Sequence, residues 1–394
     1  MLSIVFLVLI VFCVCGWLFL CYGRGGFWRA NQRLPKSLPD APMWGDVVAV
    51  IPARNEAECI GRTVASLLAQ DYPGTLRVVV VDDGSSDGTA EAALAAARGS
   101  ERLSILAGEP LPAGWTGKLW AVQQGVTWVT RQFPDSAFLL LTDADIEHDS
   151  TNVRRLVAKA ERGRYQLVSL MVQLRCHTFW ERLLVPPFIF FFQKLYPFAW
   201  VNDPRRPEAA AAGGCMLVRA PALAAAGGIA AIRGRLIDDC ALAALLKEQG
   251  AIWLGLSHET RSLRPYDRLA EFWAMVARSA YTQLGYSRRL LLATVCVMTV
   301  QYLTPPAAIV YGVIVANLWI AILGVLAWSV MVAMFTPTLM LYRMPTAWGL
   351  ALPLAALLYV LMTIDSARLT WQGRGGLWKG RSFSARADSD LSSA

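Results

Sequence analysis

The chain has 394 residues, 55% of them hydrophobic, and a mean hydropathy of +0.41. Ordinary soluble chains are about 45–50% apolar, so these values exclude a conventional soluble globular protein. The formal charge of +8 fits nucleic acid, anionic lipid or phosphorylated substrate. The eight cysteines are scattered without a C-x-x-C pair, which argues against a zinc ribbon or disulfide framework and fits a reducing compartment.

Leu2 to Tyr22 is an apolar run without a charge, long enough to cross a bilayer as a helix. A cleaved signal peptide carries its basic residues before such a run. Here Arg24, Arg29, Arg33 and Lys36 follow it. Residues 1–23 are therefore expected to be an uncleaved transmembrane anchor with its C-terminal side in the cytoplasm.

From residue 47 onward, charges return and short β-rich runs alternate with helical patterns. "VVAVIP" (47–52) predicts a buried strand. "NEAECIGRTVASLLAQ" then puts Ile60, Val64, Leu67 and Leu68 on one helix face, with Asn55 and Glu58 placed as a capping box. "LRVVVVDD" (76–83) predicts a second strand with both faces covered. "SDGTAEAALAAARG" predicts a helix closed by Gly99, and "FLLLTD" (138–143) a third strand. Strand–helix–strand alternation implies an α/β, Rossmann-like, mainly parallel sheet with covering helices. Ligands of such sheets sit beyond the carboxyl ends of the strands, where Asp82-Asp83 and Asp143-Ala-Asp145 fall.

"WERLLVPPFIFFFQKLYPFAW" (180–200) holds eight aromatic residues beside prolines and flanking charge. A core helix is one reading; a segment lying in the membrane interface is the preferred one. Asp238-Asp239 precede a helical pattern with Ala241, Leu242, Leu245 and Leu246 on one face, where helix capping alone also favours Asp. Leu290 to Tyr342 is uncharged and long enough for two spans, interrupted at Pro305-Pro306 or Asn317. A shorter apolar block runs from Ala347 to Ile364. Residues 290–364 are thus expected to form two or three transmembrane helices, and 365–394 a basic, partly disordered tail. The spans conflict with the charges: two spans plus this block send the tail outside, while Arg368, Arg374, Lys379, Arg381 and Arg386 favour inside.

Carboxylates crowded at strand ends are costly unless a cation or hydrogen-bond donors neutralise them. Mg²⁺ takes carboxylate oxygens and usually substrate phosphates as well. A lone D-x-D is more often an ordinary turn; its combination with "VVVVDDGSSDGT" some sixty residues earlier is far more specific. His177 and His258 read as structural. His148, beside the D-x-D, reads as a surface residue with a metal role as the less favoured alternative, and Glu147 and Asp149 as bystanders opening the next helix.

"VIPARNE", "VVVVDDGSSDGT", "GKLWAVQQG" and "LLLTDADIE", in this order, resemble the inverting family 2 glycosyltransferases of the GT-A fold, over roughly residues 45–285. "PLPAGWTGKLWAV", "FFFQKLYPFAWVNDPRR", "AAAGGCMLVR" and "LIDDCALAALLK" resemble more closely the hopene-associated glycosyltransferases of the HpnB type. The order of anchor, catalytic domain and apolar segments is also similar to that of ceramide glucosyltransferases.

The resemblance implies a membrane-bound, metal-dependent glycosyltransferase of hexosyltransferase type. It would move a sugar from a nucleotide-diphosphate sugar to a membrane lipid, with inversion. Pro52, Ala53, Glu56 and Asp83 would line the nucleotide pocket. Lys118 and Gln123 would meet the donor, with a snorkelling surface lysine as the plain alternative for Lys118. Asp145, helped by Asp143, would ligate Mg²⁺ or Mn²⁺. Asp239 would be the general base, supported by Asp238. In place of the Q-x-x-R-W motif of processive relatives, "MVARSAYTQ" (275–283) keeps only Arg278, which favours a single transfer and a contact of Arg278 with the diphosphate. The implied acceptor is hopanoid-related, with a polyprenyl phosphate or ceramide-like lipid as alternatives. The implied setting is a bacterial inner (cytoplasmic) membrane, multi-pass, with the catalytic domain facing the cytoplasm and no nucleic-acid partner. Two other readings are weaker. A nucleotidyltransferase usually has a Gly-rich loop after the first strand, which "IPARNEAE" lacks. A degenerate scaffold in hopanoid synthesis would not need the intact acids.

Overall fold

The computed structural model describes residues 2–36 and 39–375. Its strands are β1 Val47–Ala53, β2 Leu76–Asp82, β3 Leu103–Ala107, β4 Phe138–Thr142, β5 Ile146–Glu147, β6 Leu167–Gln173, β7 Cys215–Arg219 and β8 Ile252–Ser262. Its α-helices are α1 Leu2–Tyr22, α2 Ala57–Leu68, α3 Thr89–Ala97, α4 Gly117–Gln132, α5 Asn152–Gly163, α6 Phe179–Leu195, α7 Phe198–Val201, α8 Ala220–Ala225, α9 Asp238–Lys247, α10 Leu269–Ala277, α11 Ala280–Gln283, α12 Arg288–Ile314, α13 Leu318–Leu341 and α14 Leu352–Trp371. Two compact units emerge. A sheet unit takes residues up to Arg175 from Gln32, and Trp200–Pro265; a helical unit takes the described residues before Gln32, Cys176–Ala199 and those from Tyr266 on. Residues 176–199 and 266–285, inside the 45–285 block expected from sequence, therefore fold with the helices.

In the sheet unit the strand order is β3-β2-β1-β4-β7-β6-β8-β5. β1 pairs in parallel with β2 and β4, and β2 with β3. β7 runs antiparallel to β4 and β6, and β8 is parallel to β6. This alternation decides what meets at the carboxyl edge. The C-terminal ends of β1, β2, β4 and β8 lie there, together with the N-terminal end of β7, because Thr142 pairs with Cys215. Every residue of β1 is buried, as the continuous apolar run requires of a covered strand. Helix α4 packs close on β1 and β2: a Cβ on Gly125 would stand 2.5 Å from a methyl of Val50.

Two local expectations need correction. Asn55 does not cap α2. Glu56 holds the N-cap position without a side-chain bond, and Asn55 adopts φ 51 and accepts from the Ser86 amide instead. The acids after Asp145 do not open a helix either: Ile146–Glu147 form β5, and Asp149 accepts from the Thr151 amide in the turn before α5.

In the helical unit, four helical stretches are long and apolar enough to cross a membrane: Leu2–Tyr22, Arg288–Ile314, Leu318–Leu341 and Thr346–Trp371. α12 continues through Pro305-Pro306. The break falls at Asn317, whose side chain accepts from the Ile320 amide as a cap. α13 then returns along α12, and glycines let the backbones touch: a Cβ on Gly312 would meet Ala321 N at 2.6 Å, and one on Gly324 the Pro305 carbonyl at 2.9 Å. α1 also runs antiparallel to α12, with Phe6 stacked on Tyr311 at 4.1 Å and Trp17 donating to the Gln301 carbonyl at 3.1 Å. α14 ends beside the start of α12, where the Arg288 guanidinium lies 5.4 Å from the Trp371 ring. The basic residues Lys379, Arg381 and Arg386 lie outside the described residues.

The aromatic stretch at 180–200 is corrected from an interface-lying segment to a packed helix. α6 buries Leu183, Leu184, Val185, Pro186, Pro187, Ile189 and Phe190, and Phe190 meets Phe27 and Phe335. The fully buried Glu181 carboxylate accepts from the amides of His177, Thr178 and Tyr266, so its charge is met by backbone donors.

Candidate active site

The site grows from the carboxyl edge of the sheet unit. The first layer is a pair of stapled loops. After β1, residues 54–57 run against "DDGSSDGT" (82–89). The Asn55 amide donates to Ser85 Oγ, the Glu56 amide to Thr89 Oγ1 and the Ala57 amide to Asp87 Oδ2. Gly84 (φ 68) and Gly88 (φ 87) supply left-handed turns that side chains resist. Asp83 is 1% exposed, and Arg54 pairs with its carboxylate at 3.6 Å while donating to its carbonyl. Pro52 and Ala53 are buried at the C-terminal end of β1.

The second layer is the D-x-D turn. It is fastened on several sides. Thr63 of α2 donates to the Ala144 carbonyl at 2.7 Å, the Leu263 amide donates to the Asp145 carbonyl at 2.8 Å, and Ile146 N donates to Asp143 O at 3.3 Å. Asp145 Oδ2 accepts from Ser262 Oγ at 3.1 Å and from Arg264 Nε at 3.0 Å. The same guanidinium reaches Glu56 Oε1 through Nη2 at 2.7 Å. Arg264 thus joins Glu56 to the D-x-D turn.

The third layer joins β4 to α9. Lys118, in the first turn of α4, lies 2.9 Å from Asp143 Oδ1 and 3.0 Å from Asp238 Oδ2. Burial alone would lower its ammonium; Asp143, Asp238 and Asp239 outweigh that and hold it above its ordinary value. Asp143 is pushed up by burial first, with Lys118 opposing and Asp145 and Asp238 adding to the rise. Asp238 and Asp239 occupy the first turn of α9, after the N-cap, and Ile237 in the cap position makes no side-chain bond. Asp239 accepts from the Gly213 amide at 2.9 Å and the Cys240 amide at 2.7 Å. Burial, then Asp238, push its carboxyl to about 6, against Lys118 and those two amides. That value suits a general base working near neutrality. A small cavity of about 20 Å³ among Pro52, Lys118, Asp143, Gly213 and Asp238 lies at the meeting point.

Of the residues singled out in sequence, the fold brings together Pro52, Glu56, Lys118, Asp143, Asp145, Asp238 and Asp239, with Ala53 at the end of β1 and Asp83 on the adjoining loop. Gln123 stands apart: its amide donates to Thr127 one turn along α4, and its buried Oε1 lacks a hydrogen-bond partner. Arg278 is the exposed C-cap residue of α10 in the helical unit. Arg264, Ser262 and Gly213 went unread in the sequence. Only the repeated basic–polar pattern "TRSLRPYDR" hinted at Arg264.

The donor set fits a small hard cation of the kind that takes one or two carboxylates and completes its shell with water and phosphate. Asp143 and Asp145 offer the carboxylates. Among the described residues no group of three or more His, Cys, Asp or Glu side chains forms an all-protein cage.

Residues 48–225 match the sequence profile of the family described as Glycosyl transferase family 2. The chain is 33% identical over 144 residues to the undecaprenyl-phosphate 4-deoxy-4-formamido-L-arabinose transferase of Enterobacter sp. (strain 638), covering 34% of this chain and 39% of that one. It is 48% identical over 61 residues to the succinoglycan biosynthesis protein ExoU of Rhizobium meliloti (strain 1021), covering 16% and 17%. The chain thus spans well under half the length of these curated relatives. The mannosyltransferase PcManGT of Pyrobaculum calidifontis, solved with GDP-Man and Mn²⁺, superposes with a TM-score of 0.52 at 18% identity, over 94% of this chain and 100% of that one. Residues 48–225, just under half of the chain, thus match a family 2 glycosyltransferase domain, and the sheet has GT-A architecture.

Proposed function

We propose that the protein transfers a sugar from a nucleotide-diphosphate sugar to a hydroxyl of a membrane lipid, with inversion and one sugar per acceptor. The observation that carries this reading is the Lys118 ammonium, held between Asp143 of the D-x-D turn and Asp238 beside Asp239. It ties the donor-diphosphate side to the base side at one point. In the reaction, Asp239 takes the proton of the acceptor hydroxyl as its oxygen bonds to the anomeric carbon and the bond to the diphosphate breaks. Lys118 and Arg264 place positive charge where the diphosphate gathers negative charge. Pro52, Ala53, Glu56 and Asp83 shape the nucleotide pocket, and Arg278 is the candidate for a further diphosphate contact. A divalent cation held by Asp143 and Asp145 would supply Lewis-acid neutralisation of the leaving diphosphate.

The lipid nature of the acceptor is supported by the helices long and apolar enough to cross a membrane, and hopanoid-related lipid by the resemblance of the whole chain to the HpnB type. The flanking Arg24, Arg29, Arg288 and Arg289 support a catalytic domain on the cytoplasmic side of a bacterial inner membrane. A second reading, a polyprenyl-phosphate acceptor, is favoured by the name of the Enterobacter relative. The two differ chemically, because a phosphate oxygen is already ionised at neutral pH and needs no base. The test uses membranes containing the full chain with Mg²⁺ or Mn²⁺, labelled UDP- and GDP-sugars, and either hopanoid alcohols or undecaprenyl phosphate. Transfer to hopanoid that collapses in Asp239→Asn and on chelation supports the first reading. Transfer to undecaprenyl phosphate that survives Asp239→Asn supports the second. Full activity in both Asp145→Ala and Asp239→Asn would sink the assignment of the site.

A further inference from the structure

We propose that His148 is a positioning residue, whose neutral ring, protonated on Nε2, fixes the end of β4 against the Gly213-Gly214 loop that holds Asp239. The inference rests on the function proposed above, in which Asp143 and Asp145 serve the donor and Asp239 the acceptor. Sequence placed His148 at the surface; it is 3% exposed, beneath the D-x-D turn.

The protons can be counted. Thr142 Oγ1 lies 2.7 Å from the Gly214 carbonyl and 3.0 Å from His148 Nε2. A hydroxyl has one proton, and the carbonyl can only accept, so that proton goes to Gly214. His148 Nε2 must then donate to Thr142. The other ring nitrogen, Nδ1, lies 2.9 Å from Asn152 Nδ2 and accepts from that amide. Asn152 is fully buried, and its second amide proton faces Cys215 Sγ at 3.7 Å. Protonating Nδ1 would set a buried cation against an amide donor. Burial already pulls the ring to about 4, the neighbouring Asp149 carboxylate opposing without prevailing. The histidine amide is tied down as well, donating to Ser66 Oγ of α2 at 3.1 Å.

The result is a relay of oriented donors. Asn152 orients His148, His148 orients Thr142, and Thr142 pins the Gly214 carbonyl. The adjoining Gly213 amide donates to the Asp239 carboxylate. Thr142 immediately precedes Asp143, so one ring sets the offset between the D-x-D turn and the base. Misplacing a reacting group by about 1 Å costs on the order of 10²-fold in rate.

The test has two arms on the full chain in detergent. The first is ¹⁵N-histidine NMR. The chain has three histidines, so His148→Gln assigns the signal. The expected His148 pattern is a pyridine-type Nδ1 and pyrrole-type Nε2, unchanged between about pH 7.5 and 5.5. A protonated Nδ1, or titration within that window, overturns the proposal. The second arm is kinetics with labelled GDP-mannose and UDP-glucose and a membrane lipid extract as acceptor. His148→Leu should lower kcat about 10- to 100-fold while the donor KM stays within about threefold. His148→Gln, which keeps an N–H facing Thr142, should recover most of the loss. Thr142→Val, which deletes only the hydroxyl, should reproduce the kcat loss if His148→Leu does not fold. A loss carried by KM, or no difference between His148→Gln and His148→Leu, overturns it. A wild type inactive with every donor would count against the proposed function, while the NMR arm still reads the ring.

Discussion

The four acids of "DADIEHD" divide into two pairs that look alike in sequence. Asp143 and Asp145 each meet a cation, Lys118 and Arg264. So do Glu147, with Arg62 and Arg261, and Asp149, with Arg155. What separates the pairs is the second partner of each cation. Lys118 goes on to Asp238 in the first turn of α9, and Arg264 to Glu56 at the N-cap of α2. Arg155 goes on to Glu259, while Arg62 and Arg261 are 61% exposed and serve Glu147 alone among the pairs seen here. Acid density therefore does not mark the site, and neither does a bridging cation alone; the inner cations lead to Glu56 and to Asp238 beside Asp239, whereas Arg155 leads to Glu259 on β8.

The largest expected effect comes from removing the proposed proton acceptor, Asp239. Asp239→Asn should lower kcat by about 10²–10⁴-fold with a hydroxyl acceptor. The pH profile sharpens this. A carboxyl held at about 6 in the ligand-free chain can accept a proton only when ionised, so, if Asp239 is the base, kcat/KM should be half its plateau near pH 6 and continue down in acid. Next is the bridge: Lys118→Met leaves Asp143 and Asp238 without their shared cation. It should cost roughly 10- to 100-fold in kcat/KM, or about 1.4–2.8 kcal/mol. Gly213→Ala should follow, because a Cβ there would stand 3.3 Å from Lys118 Nζ and 3.5 Å from Asp239 Oδ2. A measurable drop in kcat with unchanged thermal stability is expected. The outer pair should behave differently. Asp149→Asn deprives the 6%-exposed Arg155 of one carboxylate while Glu259 remains, so denaturant titration should show a loss of about 1–3 kcal/mol without a change in kcat. Glu147→Gln, facing exposed arginines, should cost under about 1 kcal/mol. If the outer pair lowers kcat as far as the inner pair, the distinction collapses.

Much of this was legible because it is local. The runs "VVAVIP", "LRVVVVDD" and "FLLLTD" became β1, β2 and β4, since covered parallel strands leave no polar alternation to confuse the pattern. Their acidic ends followed at once. Arg264 was not legible, because it meets Asp145 across 119 positions of chain, through a strand that has to cross the sheet before it arrives. Gly213 was missed for a related reason. Its contribution is a backbone amide, placed by the antiparallel turn of β7, and side-chain patterns carry no trace of it. The assignment of α6 failed in another way. Aromatic content measures appetite for burial, not the identity of the partner, and here other helices supply it.

The packing of α14 bears on sidedness. The α12–α13 hairpin brings the chain back to the end where α12 began, and Arg288 over Trp371 puts the last turn of α14 at that same end. Whichever leaflet α12 starts from, Arg374 emerges beside it. In a bilayer, four membrane-length helices would thus count, up to Arg374, as an odd number of crossings. Among the described residues, Arg368 and Arg374 thus lie at the same end of the helices as Arg288 and Arg289, the arrangement that the positive-inside rule asks of a single membrane face. Fluorescent-protein and alkaline-phosphatase reporters placed before residue 288 and after residue 375 should report the same side; opposite sides at the two positions would contradict the shared end.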